Sequence, residues 1–83
     1  MHEYSLIQAM FDQIDRLVAA QGARAVRRVR VRIGSHAGVE PSLFHTAYEI
    51  FRVKTVCDEA PLQIVAVENS DELVLDQLDL EVP

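Results

Sequence analysis

Cysteine occurs once, at Cys57, among 83 residues. A single thiol excludes an internal disulfide framework, and with no Cys-x-x-Cys a zinc ribbon within the chain is excluded too. Such cysteine use makes the cytoplasm the expected compartment. Cations are in the minority: Lys and Arg number 8 against 13 Asp and Glu, a net charge of −5. Neutralising phosphates takes clustered Lys and Arg, so nucleic acid is not expected as a partner. Long apolar runs are missing, and the first residues lack the basic and apolar segments of a signal peptide, so no membrane contact is expected. There is no Gly-x-Ser-x-Gly elbow and no Gly-rich phosphate loop. Neighbouring carboxylates at Asp58-Glu59 and Asp71-Glu72 point different ways and read as loop charges. No nucleophile–base–acid set is visible, and an enzyme is not expected.

What is present is a globular composition, 49% hydrophobic and 25% charged. The length suits one domain near the lower limit of what a single core holds together. From Glu3 to Gln21, the residues Leu6, Ile7, Met10, Phe11, Ile14, Leu17 and Val18 recur at spacings of three and four. That spacing predicts an amphipathic helix, with Gly22 as its stop. From Val26 to Ile33 the period becomes two. Val29, Val31 and Ile33 alternate with Arg28, Arg30 and Arg32, which predicts a strand with one apolar and one guanidinium face. A basic stripe could meet nucleic acid. The acidic balance favours carboxylate partners from a neighbouring strand instead, with Asp79 and Glu81 as candidates.

Gly34 to Val39 reads as a loop that includes His36. Glu40-Pro41-Ser42 reads as a helix start, with proline at the first helical position. Leu43, Phe44, Ala47, Tyr48, Ile50 and Phe51 carry a second helix to about Lys54, with His45 off its apolar stripe. Cys57 falls in a connector and reads as a small hydrophobe. Leu62 to Val67 is apolar on both faces, which suggests an interior strand or partial cover from a partner. Glu68-Asn69-Ser70-Asp71 is turn chemistry. Leu73 to Val82 is a third strand whose parity changes near Asp76-Gln77, the mark of a bulge. The expected fold is α+β: a two-layer sandwich of two helices on a three-stranded sheet, in the order α-β-α-β-β. The last two strands are close enough in sequence to form a hairpin.

The remaining chemistry is nitrogen chemistry at the amino terminus. Met1-His2-Glu3 could offer an amine, an imidazole and the backbone amides of His2 and Glu3. These lie close enough along the chain to chelate one ion in fused rings. An all-nitrogen, near-planar set suits Ni(II) or Cu(II) and suits Zn poorly.

The opening Met1-His2-Glu3-Tyr4-Ser5-Leu6 resembles that of the HypA/HybF nickel-insertion proteins of [NiFe]-hydrogenase and, in some organisms, urease maturation. The resemblance continues through Arg28 to Gly34, Gly38-Val39-Glu40-Pro41, Leu43-Phe44, Leu62-Gln63-Ile64-Val65, Asp71-Glu72-Leu73 and Leu78 to Val82. It implies a nickel metallochaperone that holds Ni(II) through the His2 imidazole and the backbone nitrogens of Met1, His2 and Glu3. It also implies Glu3 and Glu40 as outer partners of the ion. The implied partners are a nickel-handling GTPase and a hydrogenase large-subunit precursor, with the chain a monomer or homodimer. The family's zinc domain, with its two Cys-x-x-Cys pairs, is replaced here by the short link at residues 68–71. No zinc is therefore expected, and residues 1–83 make one nickel-binding domain. The alternative is a non-catalytic interaction module that docks on a maturation partner, with metal binding secondary or lost.

Overall fold

A computed structural model describes residues 3–83. The first helix, α1, spans Glu3–Gln21 and buries Ile7, Met10, Phe11 and Ile14. Its end is a Schellman turn. Ala23 N–H donates to Val18 O at 3.0 Å and Gly22 N–H to Ala19 O at 3.3 Å. Gly22 takes φ +63, a conformation that costs glycine little. The strand β1 covers Ala25–Gly34, and α2 covers Pro41–Phe51. Two further strands follow, β2 at Leu62–Val67 and β3 at Leu73–Glu81. The order α-β-α-β-β and the α+β class are as expected. The second helix stops at Phe51, short of Lys54. Lys54 adopts φ 64, and the Thr55 hydroxyl donates to Arg52 O at 2.6 Å, occupying one of the carbonyls a longer helix would use.

The sheet order is β2-β1-β3. β1 runs parallel to β2, with Val31 opposite Ile64, and antiparallel to β3, with Ile33 opposite Leu73. Two expectations are corrected here. β2 and β3 do not form a hairpin, because β1 lies between them, and β2 is an edge strand while β1 is the interior one. The physical reason is burial. β1 supplies Val26, Val29, Val31 and Ile33, each at most 2% exposed, so the most apolar strand takes the centre. A parallel partner needs a crossover, and α2 supplies it. The link from β2 to β3 therefore passes over the end of β1 and is tied down there. Ser35 N–H donates to Val67 O at 2.8 Å, His36 N–H to Ser70 O at 2.7 Å, and Gly34 N–H to Glu72 O at 2.8 Å.

Two bulges tune the sheet. On β3 the register steps past Asp76, so that Arg30 faces Gln77 and Val31 faces Leu75. That is the parity change visible in the sequence. On β1 a step between Val26 and Arg28 returns Val26 to the core face.

The helix-covered face holds the core, in which Phe44, Ala47 and Tyr48 of α2 join the buried residues of α1 and β1. The other face carries a ladder of ion pairs. Arg28 meets Asp79 at 2.8 Å, and Arg30 and Arg32 share the two oxygens of Asp76 at 2.7 and 2.8 Å. Arg32 also meets Glu72 at 3.1 Å, while Arg24 and Arg27 each reach Glu81 at 2.7 Å. The expected partners Asp79 and Glu81 are thus joined by Asp76 and Glu72. Asp79 is held below the usual carboxylate range by its hydrogen bonds from Gln77 and Arg28. Glu81 is held low by the hydrogen bond from Arg27 and the charge of Arg24. The arginine row is consumed by this pairing, which accounts for it without nucleic acid.

Candidate metal centre

Two of the three residues proposed to hold the ion, Met1 and His2, lie outside the described residues. Glu3 is the first residue of α1 and is partly exposed. Its position matters chemically. The first N–H groups of an α-helix have no carbonyl partner within the helix, so the Glu3 amide is free to serve another purpose. The positive end of the helix dipole lies at the same place and favours negative charge, including deprotonated amide nitrogens.

What holds this end in place is aromatic packing. Tyr4 lies with its ring centroid 6.5 Å from that of Phe51. Phe11 packs on Phe51 at 5.5 Å and stacks on Tyr48 at 5.8 Å. The first turns of α1 are therefore seated on the carboxyl-terminal end of α2. That end is itself braced. The Tyr48 hydroxyl donates to Ala60 O at 2.6 Å, with the side chain fully buried. The Arg52 guanidinium lies over the Tyr48 ring at 5.9 Å, pairs with Glu49 at 2.9 Å, and donates to Asp58 O at 2.8 Å. The helix pattern marked Phe11, Tyr48 and Phe51 as apolar positions. The bracing by Arg52 was not legible, because its carbonyl partners lie in an irregular connector.

Glu40 sits where the helix start at Glu40-Pro41-Ser42 was expected. It is the N-cap of α2, and its carboxylate accepts from Ser42 N–H at 2.9 Å and from Ser42 Oγ at 2.7 Å. Those two bonds hold its carboxyl below the usual range. Phe51 is the eleventh helical residue after it, about 16 Å along the axis, and Tyr4 packs at the Phe51 end.

The other candidate ligands are scattered. His36 and His45 are exposed, and His45 Nε2 is 3.8 Å from Glu49 Oε1. Cys57 is fully buried, and burial pushes its thiol up to about 11, so it is a packed neutral group. Among the described residues no three His, Cys, Asp or Glu side chains gather closely enough to hold a metal ion. No helix among them is long and apolar enough to cross a membrane.

A small α+β domain of this topology is the fold of known nickel metallochaperones. The solution structure of the Ni metallochaperone HypA from Helicobacter pylori superposes with a TM-score of 0.83, at 23% identity over 100% of both chains. A second solution structure, of a HypA protein, gives a TM-score of 0.70 at 28% identity over 93% of this chain and 71% of that one. Residues 1–72 match the family model for hydrogenase/urease nickel incorporation, metallochaperone, HypA. The chain belongs to this HypA family. The hydrogenase maturation factor HypA of Shewanella oneidensis is 37% identical over 100% of this chain and 76% of its own length. That of Shewanella halifaxensis is 42% identical over 95% of this chain and 65% of its own.

Proposed function

We propose that this chain carries Ni(II) at its amino terminus as an accessory factor in hydrogenase, or urease, maturation. The ion would be held by the His2 imidazole and the backbone nitrogens of Met1, His2 and Glu3, in a square-planar set. The observation that carries the reading is the place of Glu3. It opens a helix locked into the core through Ile7, Met10, Phe11 and Ile14, and its amide has no helical acceptor to satisfy. A terminal chelate on such a base can give up one donor at a time, which suits a carrier. Its ligands must be deprotonated, so affinity falls as pH drops through the histidine range. Glu3 would stay close to the ion as a neighbouring carboxylate, with Glu40, which caps α2, as a further outer partner.

On this reading the chain has no catalytic step of its own and passes nickel to a client. The proposed partners are a nickel-handling GTPase and a hydrogenase large-subunit precursor. The link at residues 68–71 stands where other family members carry a zinc domain, so the chain would bind nickel and no zinc. Metal analysis of protein that begins at Met1 tests this: nickel near one per chain without zinc supports it, and stoichiometric zinc opposes it. A second reading, a docking module with metal binding secondary, draws on the exposed Leu43 and Ile50 of α2, Val53 just past its end, and the exposed Tyr4. A pull-down of the maturation partner that survives His2→Ala would favour it.

A further inference from the structure

The sheet is unevenly finished. Among the described residues, nothing pairs with the far edge of β3, which at nine residues is half as long again as the six of β2. Long open edges are usually shortened, kinked or covered. Beneath this one, Leu73, Leu75, Leu78 and Leu80 turn toward the core yet are only partly buried. Between β3 and α1 lies an open groove of about 200 Å³, lined mainly by apolar side chains that include Leu6, Ala9, Met10, Phe44 and Leu75. Backbone groups without partners and an apolar trough thus run side by side.

Charge decides what fits. No Lys or Arg follows Lys54 in the chain. The outer face of β3 carries Asp76, Asp79 and Glu81, with Glu72 just before the strand, and their arginine partners all sit on the β1 side. A strand added at the far edge would have these carboxylates as its direct neighbours, with the arginines one strand further away. A second copy pairing β3 on β3 would set acid against acid, which is unfavourable. A strand that alternates apolar residues with Lys or Arg would meet leucines on one face and carboxylates on the other.

We propose that the free edge of β3, together with the groove beside α1, receives an extended segment of a partner protein as a fourth strand. Its apolar side chains enter the groove and its Lys or Arg side chains meet the β3 carboxylates. Main-chain hydrogen bonds would supply affinity and the alternating side chains specificity, as in other strand-addition complexes. The inference stands apart from the nickel reading, since none of its residues is a proposed ligand.

The test uses the whole isotope-labelled chain and a nine-residue peptide alternating Ile and Lys. Amide exchange along β3 and binding affinity are read together. Two control peptides, one with Glu for Lys and one N-methylated at alternate amides, separate charge and main-chain pairing from plain stickiness. Ala9→Phe fills the groove from an exposed helix position. The expected result is slowed exchange at β3 with the Ile/Lys peptide, and binding weakened about tenfold or more by either control or by Ala9→Phe. Equal binding of the N-methylated or acidic peptide overturns the proposal. So does unchanged exchange at β3, or protection that rises with protein concentration in the absence of peptide.

Discussion

A Cβ placed on Gly34 would lie 2.1 Å from the carbonyl oxygen of Ser70. The contact exists because the link from β2 to β3 must cross the end of β1, and glycine is what lets it lie flat there. The neighbouring atoms are backbone, fixed by the bonds from His36 and Gly34 N–H, so they cannot simply rotate away. Gly34→Ala should therefore destabilise the fold by about 1–3 kcal/mol, as overpacking does. Urea denaturation checks this, with a lower midpoint and an unchanged slope expected.

The ion-pair ladder should be graded by burial. Asp76 is the most enclosed of its carboxylates, with its side chain 18% exposed, and it holds Arg30 and Arg32 at once. Asp79 is 33% exposed and pairs with Arg28, which is 54% exposed. Asp76→Ala should cost about 1–2 kcal/mol, and Asp79→Ala clearly less, since exposed pairs contribute little. A double-mutant cycle of Arg30 with Asp76, set beside one of Arg28 with Asp79, measures the difference.

Acid should weaken the sheet from its outer face. Asp79 and Glu81 titrate below their usual values in the folded chain. A depressed folded pKa means stability that is present above the unfolded value, near 4, and lost as pH falls through the folded one. The denaturation midpoint should change little between pH 7 and 5 on their account and drop below about pH 4. Replacing both by Asn and Gln should flatten that acid limb.

The aromatic seat under α1 rests on Tyr48. Tyr48→Phe removes the hydroxyl that bonds Ala60 O at 2.6 Å and leaves the ring stacked on Phe11. The loss should be about 1–2 kcal/mol for a buried hydrogen bond. Cys57, buried and with its thiol pushed up to about 11, should react with thiol reagents only through unfolding. Its modification rate should therefore rise in the Tyr48→Phe variant.

Local pattern carried most of the elements. The alternation of Val29, Val31 and Ile33 with arginines marked β1, and the parity change at Asp76 marked the bulge of β3. The pairing order was not legible. Leu62–Val67 and Leu73–Glu81 are near in sequence, but which strands pair depends on which buries best, and β1 takes the middle. The three-residue spacing from Val26 to Val29 was a sign of the second bulge, hidden by the run of arginines. Glu40 was marked as a residue of interest by Glu-Pro-Ser, yet its capping bonds to Ser42 depend on the turn it makes before α2. At the amino terminus the helix that presents Glu3 was legible from its apolar stripe. Its seat on Phe51 needed the packing of α1 on α2.

The most direct test of the account is calorimetric titration of Ni(II) into the chain beginning at Met1, beside His2→Ala and a version extended before Met1, at pH 7.5 and 5.5. The account predicts one site per chain in the first. It predicts affinity lower in both variants by at least the 10–100-fold typical of losing an outer partner, and weaker binding at the lower pH. Equal affinity in the chain and His2→Ala would contradict it.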